Sequence, residues 1–485
     1  MAETIIPLAD DFAPATRETW LKLVDKTLKG ADVSTLTRRT DDGLPIQPLY
    51  QAGDAAAPAK PIRAPHEGER AWDVRVLVAH PDPARANAEA LSDLEGGAAS
   101  AVFRIDPTGR NGVAVGSADT LARALDGVVV ELASIGLDAG FLGVQAADWL
   151  SAFAKSSPGA RLEFNLDPLS ALAAAGSSPG PIEAHLIAAA NAGARLADPY
   201  SKARLFQASG RVVHEAGGGE ALELGFAAAS ALAYAKALVR AGLSMADAFT
   251  RIGLSLSIDG DYFVSTAKLR AARAIWSRIA GACGATAPAW IEARSSHRMI
   301  ARKDPWTNML RLTEAGFAGA VGGADAVVLG NFTDAIGLPT AFARRQSRNT
   351  QLVLMEEAGL GRVADPAGGA WFLETLTDEL ARAGWSSFQA IESEGGLAAA
   401  LASGHVARVA HAVRDARQAD IRDGKVKIVG VTAFPNPAEG PVAIETPDAA
   451  AFATQGPSPT LPGPDSACTP LSPIRLAAPF EEAAQ

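Results

Sequence analysis

The chain has 485 residues, 48% of them hydrophobic, and carries a net charge of −10. That length suits roughly two to four domains, or one barrel of ~250 residues with additions, and the apolar content suits a sizeable core rather than global disorder. The acidic balance argues against a nucleic-acid partner, which calls for a basic face, and two cysteines, Cys283 and Cys468, exclude a disulfide scaffold or a cysteine-rich zinc site. The opening MAETIIPLADDF has neither a basic start nor a long apolar run, so a cytoplasmic protein is expected. Without ~20 uninterrupted apolar residues anywhere, no membrane partner is expected either.

Residues 1–70 read as an arm. Trp20, Leu21, Val24 and Leu28 at helical spacing predict a helix over Thr16–Leu28, stopped by Gly30. Pro45 and Pro48 then forbid a regular helix, and Ala, Pro and charge over 51–70 suit an extended linker. From about Ala99 short β-rich runs alternate with longer helical stretches. The expected strands are Ala101–Ile105, Val128–Leu132, Leu162–Leu166, Ala203–Ser209, Leu254–Ile258, Trp290–Ala293, Val327–Leu329 and Gly361–Ala364. The expected helices are Pro83–Leu94, leading in, then Thr120–Leu125, Gln145–Lys155, Ile182–Ala192, Gly219–Ala241, Asp261–Ala280, Trp306–Val321, Thr340–Ala358 and Leu373–Ser393. Eight strands, each followed by a helix, predict a closed (β/α)8 TIM barrel over 71–434. Beyond Gly424, KVKIVGVTAFPN reads as one buried strand and a turn, and 435–485 as a Pro/Ala-rich linker or disordered tail.

Asp334–Gly369 is the most distinctive segment. Pro339 can open a helix, Arg344 and Arg348 share one of its faces, as do Arg345 and Arg348, and Gly359 and Gly361 end it. Taken alone, this is a surface helix with solvated charges. The motifs Gly337-Leu338-Pro339-Thr340, Arg348-Asn349-Thr350-Gln351-Leu352, Glu356-Glu357 and Asp365-Pro366 with Gly368-Gly369 resemble, in spacing, those of the adenosylcobalamin-dependent acyl-CoA mutases, above all methylmalonyl-CoA mutase. The resemblance extends over most of residues 20–434. It includes Trp72-Asp73-Val74-Arg75 at the barrel entry, the AKLRAAR run Ala267–Arg273 with Trp276, Asp304-Pro305-Trp306-Thr307-Asn308, and Ile428–Val431 as the strand leaving the barrel.

The family's catalytic pattern is altered. Its S-G-Y-H-x-x-E-A-G stands here as Ser209-Gly210-Arg211-Val212-Val213-His214-Glu215-Ala216-Gly217, so Arg211 replaces the tyrosine beside the cofactor and Val212 the histidine that bonds the thioester carbonyl. Valine has no donor for that purpose. Leu77 stands where the family's R-Q-Y has its tyrosine, and Arg294 where a glutamine stands. The resemblance therefore implies no catalytic residues. Arg211, His214, Arg294 and His297 remain barrel-mouth candidates, each following or ending a strand. Arg294, His297 and Arg298 suit either an anion or an interface salt bridge, and His214 is placed at a strand end or a surface. Asp259, Asp261, Asp167 and Asp365 offer a metal site only if they converge; Asp261 reads more simply as a helix cap.

None of the seven histidines sits in the D-x-H-x-x-G loop that ligates cobalt in the family. The implied protein is a small subunit of a heterodimeric methylmalonyl-CoA mutase, without a cobalamin-binding flavodoxin-like domain. Its partner would be the catalytic large subunit, which would hold adenosylcobalamin and interconvert methylmalonyl-CoA and succinyl-CoA. The alternatives are an autonomous barrel enzyme with altered chemistry and a competent subunit for another acyl-CoA.

Overall fold

The computed structural model describes residues 15–54, 70–459 and 461–481. His66 and most of the expected linker fall outside them. Eight strands carry the fold: β1 (Asp73–Val78), β2 (Ser100–Arg104), β3 (Ser134–Asp138), β4 (Leu162–Leu166), β5 (Arg204–Ser209), β6 (Ile252–Ile258), β7 (Ile291–Ser295) and β8 (Ala326–Val328). They pair in parallel in chain order, and β8 returns to β1, with Val327 opposite both Val74 and Ala293. Parallel neighbours need long crossovers, and helices supply them: α1 (Arg17–Leu28) precedes the barrel, and α2 (Pro83–Glu95), α3 (Ala118–Ala124), α4 (Gly143–Phe153), α5 (Pro168–Ala175), α6 (Ile182–Ala197), α7 (Arg211–Glu215), α8 (Glu220–Arg240), α9 (Met245–Thr250), α10 (Tyr262–Ala282) and α11 (Asn308–Val321) link its strands. After β8 come α12 (Ala341–Leu352), α13 (Trp371–Ser393), α14 (Leu397–Ala402) and α15 (His405–Arg422). Side chains alternate along a strand. Val74, Val78, Ala101, Phe103, Ile135 and Leu137 point outward and are fully buried under the helices. α8 is apolar and long enough to cross a membrane by composition alone, but it is packed in the core of the barrel wall.

The (β/α)8 barrel stands as expected, with three differences in the strands. The run Val128–Leu132 is a turn, with Leu132 85% exposed, and the strand begins two residues later. Gly361–Ala364 is a series of bends; the eighth strand is Ala326–Val328, and β1, entered at Trp72, completes the count. Ile428–Val431 forms only an isolated bridge, Val429 with Ala433, and Val429 is half exposed. Apolar content placed these three runs in strands, with the family resemblance adding to Ile428–Val431, yet none has a free barrel edge to join, because the barrel is closed.

The helix at 341–352 differs in surroundings. Thr340, not Pro339, caps it, accepting from the Ala343 N–H. Only Arg345 is exposed as expected: Arg348 pairs with Asp93 at 2.5 Å and Arg344 with Glu89 at 2.7 Å, both on α2. Gln351 accepts from the Trp72 indole at 3.2 Å. The AKLRAAR run works the same way from α10. Lys268 reaches Glu223 at 2.6 Å, Arg270 reaches Glu374 at 2.6 Å and Arg273 reaches Asp325 at 2.7 Å. These motifs tie helices together through buried, charge-assisted bonds.

The arm divides in two. Residues 38–54 lie on this chain's own barrel: Asp41 pairs with Arg417, Asp42 bonds the start of α8, Leu44 joins the core and Tyr50 packs 5.1 Å from Phe372. α1, in contrast, buries no residue, and Leu23 is 60% exposed. The tail is extended but not free. It bonds in turn to Leu338 after β8, Pro107 after β2, Gly176 after β4, Glu215 after β5 and Arg298 after β7, through residues 445, 454, 468, 474 and 476. It thus runs around the C-terminal rim of the barrel, burying Leu471 and Ala477.

Candidate functional site

Inward-facing positions of the strands are unusually polar. Arg75 on β1 sits at the centre, 2% exposed, and bonds Glu163 of β4 at 2.5 and 2.8 Å, Glu292 of β7 at 2.9 Å, Asp73 at 2.9 Å and the Ser100 hydroxyl at 2.8 Å. Arg204 adds to Glu163 at 3.2 Å and stacks 3.8 Å over the Trp290 ring. Arg294 Nε bonds Glu292 at 2.6 Å. Gln207 and Ser255 donate to the same carboxylate. Burial pushes the Glu292 carboxyl up, but Arg294 and Arg75 overcome this and hold it at about 2. The barrel axis is therefore filled by a hydrogen-bonded ionic network rather than open along its length. Buried charges persist only when so paired.

Above this plug, at the C-terminal ends of the strands, lie the residues expected from sequence. Arg211 starts α7 and is half buried; Val212 packs against the core; Leu77, one residue before the end of β1, is on the inner side. Arg294 is buried in β7, and His297 follows it at the rim. All four candidate residues are on the same face, as the strand order requires. They do not form one site. His214 is neither at a strand end nor on the surface: it lies in α7, fully buried, on the far side of that turn.

His214 belongs to a second ionic cluster. Its Nδ1 lies 3.2 Å from Glu223 and 3.3 Å from Glu220 on α8, and its Nε2 lies 3.5 Å from Asp259 beyond β6. Lys268 bonds both glutamates, and Arg298 reaches Asp259 at 2.8 Å and Glu220 at 3.1 Å. Burial, Arg298 and Lys268 oppose protonation of His214, but the carboxylates outweigh them and its pKa is raised. One imidazole and two carboxylates within 4.8 Å form a plausible metal donor set. Here the Lys268 ammonium and the Arg298 guanidinium already stand against those carboxylates, so a divalent cation would meet two fixed positive charges. With His214 protonated, three cations balance three carboxylates. Asp261 caps α10 as expected, accepting from Val264 N–H, Asp167 is bonded by the Tyr234 hydroxyl, and Asp365 pairs with Arg270. The four aspartates do not converge.

Sequence reasoning missed Glu163, Glu292, Arg104 and Asp138. Their only signal was charge at alternate positions of otherwise apolar strands, which a strand with one face on a polar lumen requires.

No donor stands at Val212, no ring or hydroxyl at Leu77, and the axis is closed.

The methylmalonyl-CoA mutase family model matches residues 62–456. The methylmalonyl-CoA mutase small subunit of Streptomyces virginiae is 39% identical over 92% of this chain and 76% of its own length. The protein of the same name from Propionibacterium freudenreichii subsp. shermanii is 33% identical over 90% and 71%. A methylmalonyl-CoA mutase of Cereibacter sphaeroides is 28% identical over 88% and 65%. Family model, small-subunit relatives and barrel agree: this chain belongs to the methylmalonyl-CoA mutase family.

Proposed function

We propose that this chain is the non-catalytic small subunit of a heterodimeric methylmalonyl-CoA mutase. Its partner, the large subunit, holds adenosylcobalamin and performs the radical isomerisation between methylmalonyl-CoA and succinyl-CoA. The observation that carries this reading is the filled axis. Arg75, Glu163, Glu292 and Arg294 occupy the space along which a long thioester would have to lie, and Val212 offers no donor to a carbonyl. The relatives named as small subunits support the subunit role. Two exposed apolar surfaces support a protein partner. One is α1 with the turn after it, where Leu21, Leu23, Val33 and Leu36 are exposed. The other is the α11–α12 face, where Trp306, Leu310, Phe342 and Val353 are exposed beside a groove of about 460 Å³. The two free thiols suit a cytoplasmic location.

The test is co-expression with a full-length catalytic subunit. The pair should co-elute one-to-one and isomerise methylmalonyl-CoA. The isolated chain should show no turnover and should bind adenosylcobalamin more weakly than ~1 mM, about −4 kcal/mol. Removing residues 1–36 should leave a folded barrel that no longer co-elutes. Stoichiometric cobalamin binding or turnover by the isolated chain would refute the proposal.

A further inference from the structure

The mouth of the barrel holds guanidinium donors that its neighbours leave unsatisfied. Three guanidiniums, those of Arg104, Arg211 and Arg294, act on the single carboxylate of Asp138. Arg104 and Arg294 each reach it only at 3.4 Å. Arg294 spends its Nε on Glu292 and leaves Nη2 buried without a partner. Arg211 has no ion pair and no side-chain hydrogen bond among the described residues, and its Nε is buried and unsatisfied. The nearby Glu215 carboxylate offsets part of the Arg211 charge but makes no bond to it, accepting instead the backbone N–H groups of His297 and Arg298. At the outer rim Asp334 faces His297 and Arg104, and it is bonded by Asn331 N–H.

Arginine cannot escape this by losing its proton at ordinary pH. Burial and the neighbouring Arg294 lower the Arg211 pKa only to about 10. A half-buried guanidinium with an idle fork, beside a second idle donor, is a costly arrangement unless an anion completes it. We propose that the mouth binds a small anion, a carboxylate or phosphate group, between Arg211 and the free Nη2 of Arg294, with Arg104 contributing from the rim. The ligand is short. The Arg75–Glu163–Glu292 plug directly beneath closes the axis, so nothing longer than a few atoms can descend from the anion into the barrel. Chain-like ligands must instead leave toward solvent. Arg211 and Arg294 occupy two of the positions at which the family pattern is altered, so the same replacements that remove the mutase chemistry supply the anion donors. This inference concerns the chain's own barrel and stands whether or not a catalytic partner binds.

The full chain is titrated at constant ionic strength with inorganic phosphate in one series and with acetate and malonate in another, and the unfolding temperature and calorimetric heat are followed. Saturable stabilisation with half-saturation near or below ~1 mM is expected in at least one series, and the better series identifies the anion type. Arg211→Gln should raise the half-saturating concentration at least tenfold. Without anion it should melt no lower than wild type, because it removes a guanidinium that has no hydrogen-bond partner. Arg211→Lys keeps the charge but loses the fork, and should bind with intermediate strength. Arg382→Gln, on the outer face of α13, should change nothing. No saturable response to any of the three anions overturns the proposal. So does an equal response in Arg211→Gln, or a large loss of stability in anion-free Arg211→Gln and Arg211→Lys, which would make Arg211 a structural group.

Discussion

Asp42, in the N-terminal arm, accepts the backbone N–H of Glu220 at 3.0 Å, and its other oxygen takes Ala221 N–H at 3.2 Å. An arm residue thus caps a 21-residue helix of the barrel wall from 178 positions away in sequence. The N-terminus of a helix has free N–H groups and a positive dipole end, and Gly219 at the cap position has no side chain to serve them. The second half of the arm is therefore part of this barrel.

The cap predicts opposite outcomes for two substitutions. Burial and the nearby Glu220 carboxylate raise the Asp42 pKa to about 6. A raised carboxylate pKa favours the folded state fully below about 4, and that contribution is lost as pH rises through about 6. Asp42→Ala removes the acceptor and should destabilise by ~1 kcal/mol. Asp42→Asn keeps an acceptor without the buried charge, so it should match or exceed wild-type stability at pH 8. Thermal melts of both variants at pH 8 decide this; an Asn variant as weak as the Ala variant would show that the cap depends on charge.

The lumen network predicts a larger effect. Arg75→Ala leaves Glu163 and Glu292 buried with only Arg204 and Arg294 beside them. Breaking a buried pair from one side costs about 3–5 kcal/mol. Urea denaturation should show that loss at pH 7. Arg75→Met together with Glu163→Gln should recover part of it, because fewer uncompensated charges then remain. Additive losses in the double variant would mean that packing, not charge, dominates.

His214 predicts a pH-dependent effect. It faces Glu220 and Glu223 on α8, Asp259 after β6, Lys268 on α10 and Arg298 after β7. Its folded pKa is raised, so its contribution is complete below about 6.5 and is lost as pH rises through the raised value. Relative to wild type, His214→Gln should be weaker by ~2 kcal/mol at pH 5.5, and the gap should narrow with rising pH. Asp259, held at about 2 by Arg298 and His214 against its burial, behaves in the opposite sense: its contribution is present above about pH 4 and is lost as pH falls toward 2. A His214→Gln deficit that is constant from pH 5.5 to 9 would show that His214 is neutral throughout.

The α2–α12 contact gives a structural test of the family motif. Arg348 pairs with Asp93 where Gly96 leaves room for the guanidinium. A Cβ at Gly96 would collide with that guanidinium, so Gly96→Ala should destabilise by more than the same change at Gly281, which has open space around it. Melting temperatures of the two variants provide the comparison.

The sequence by itself determined the barrel, its parallel order and its family, because local patterns carry these. Hydrophobic periods place α2, α8 and α10, turn glycines end helices, and motif spacings such as Arg348–Leu352 survive whatever the surroundings. It also placed Arg211, Arg294 and His297 at one face, since every βα connection of a barrel ends there. It could not separate Val128–Leu132 from a strand, because a short apolar run fits both a strand and a turn until neighbours claim the sheet edges. Only the tertiary structure decided which charges are buried. Arg75 meets Glu163 and Glu292 across 88 and 217 positions of sequence, and His214 meets Asp259 across the gap between two strands. Such pairs are set by closure of the barrel, which brings alternate inward positions of distant strands to one axis. Closure likewise turned the expected solvated contacts of Arg344 and Arg348 into buried ones, and left Arg211 without an ion pair at the mouth.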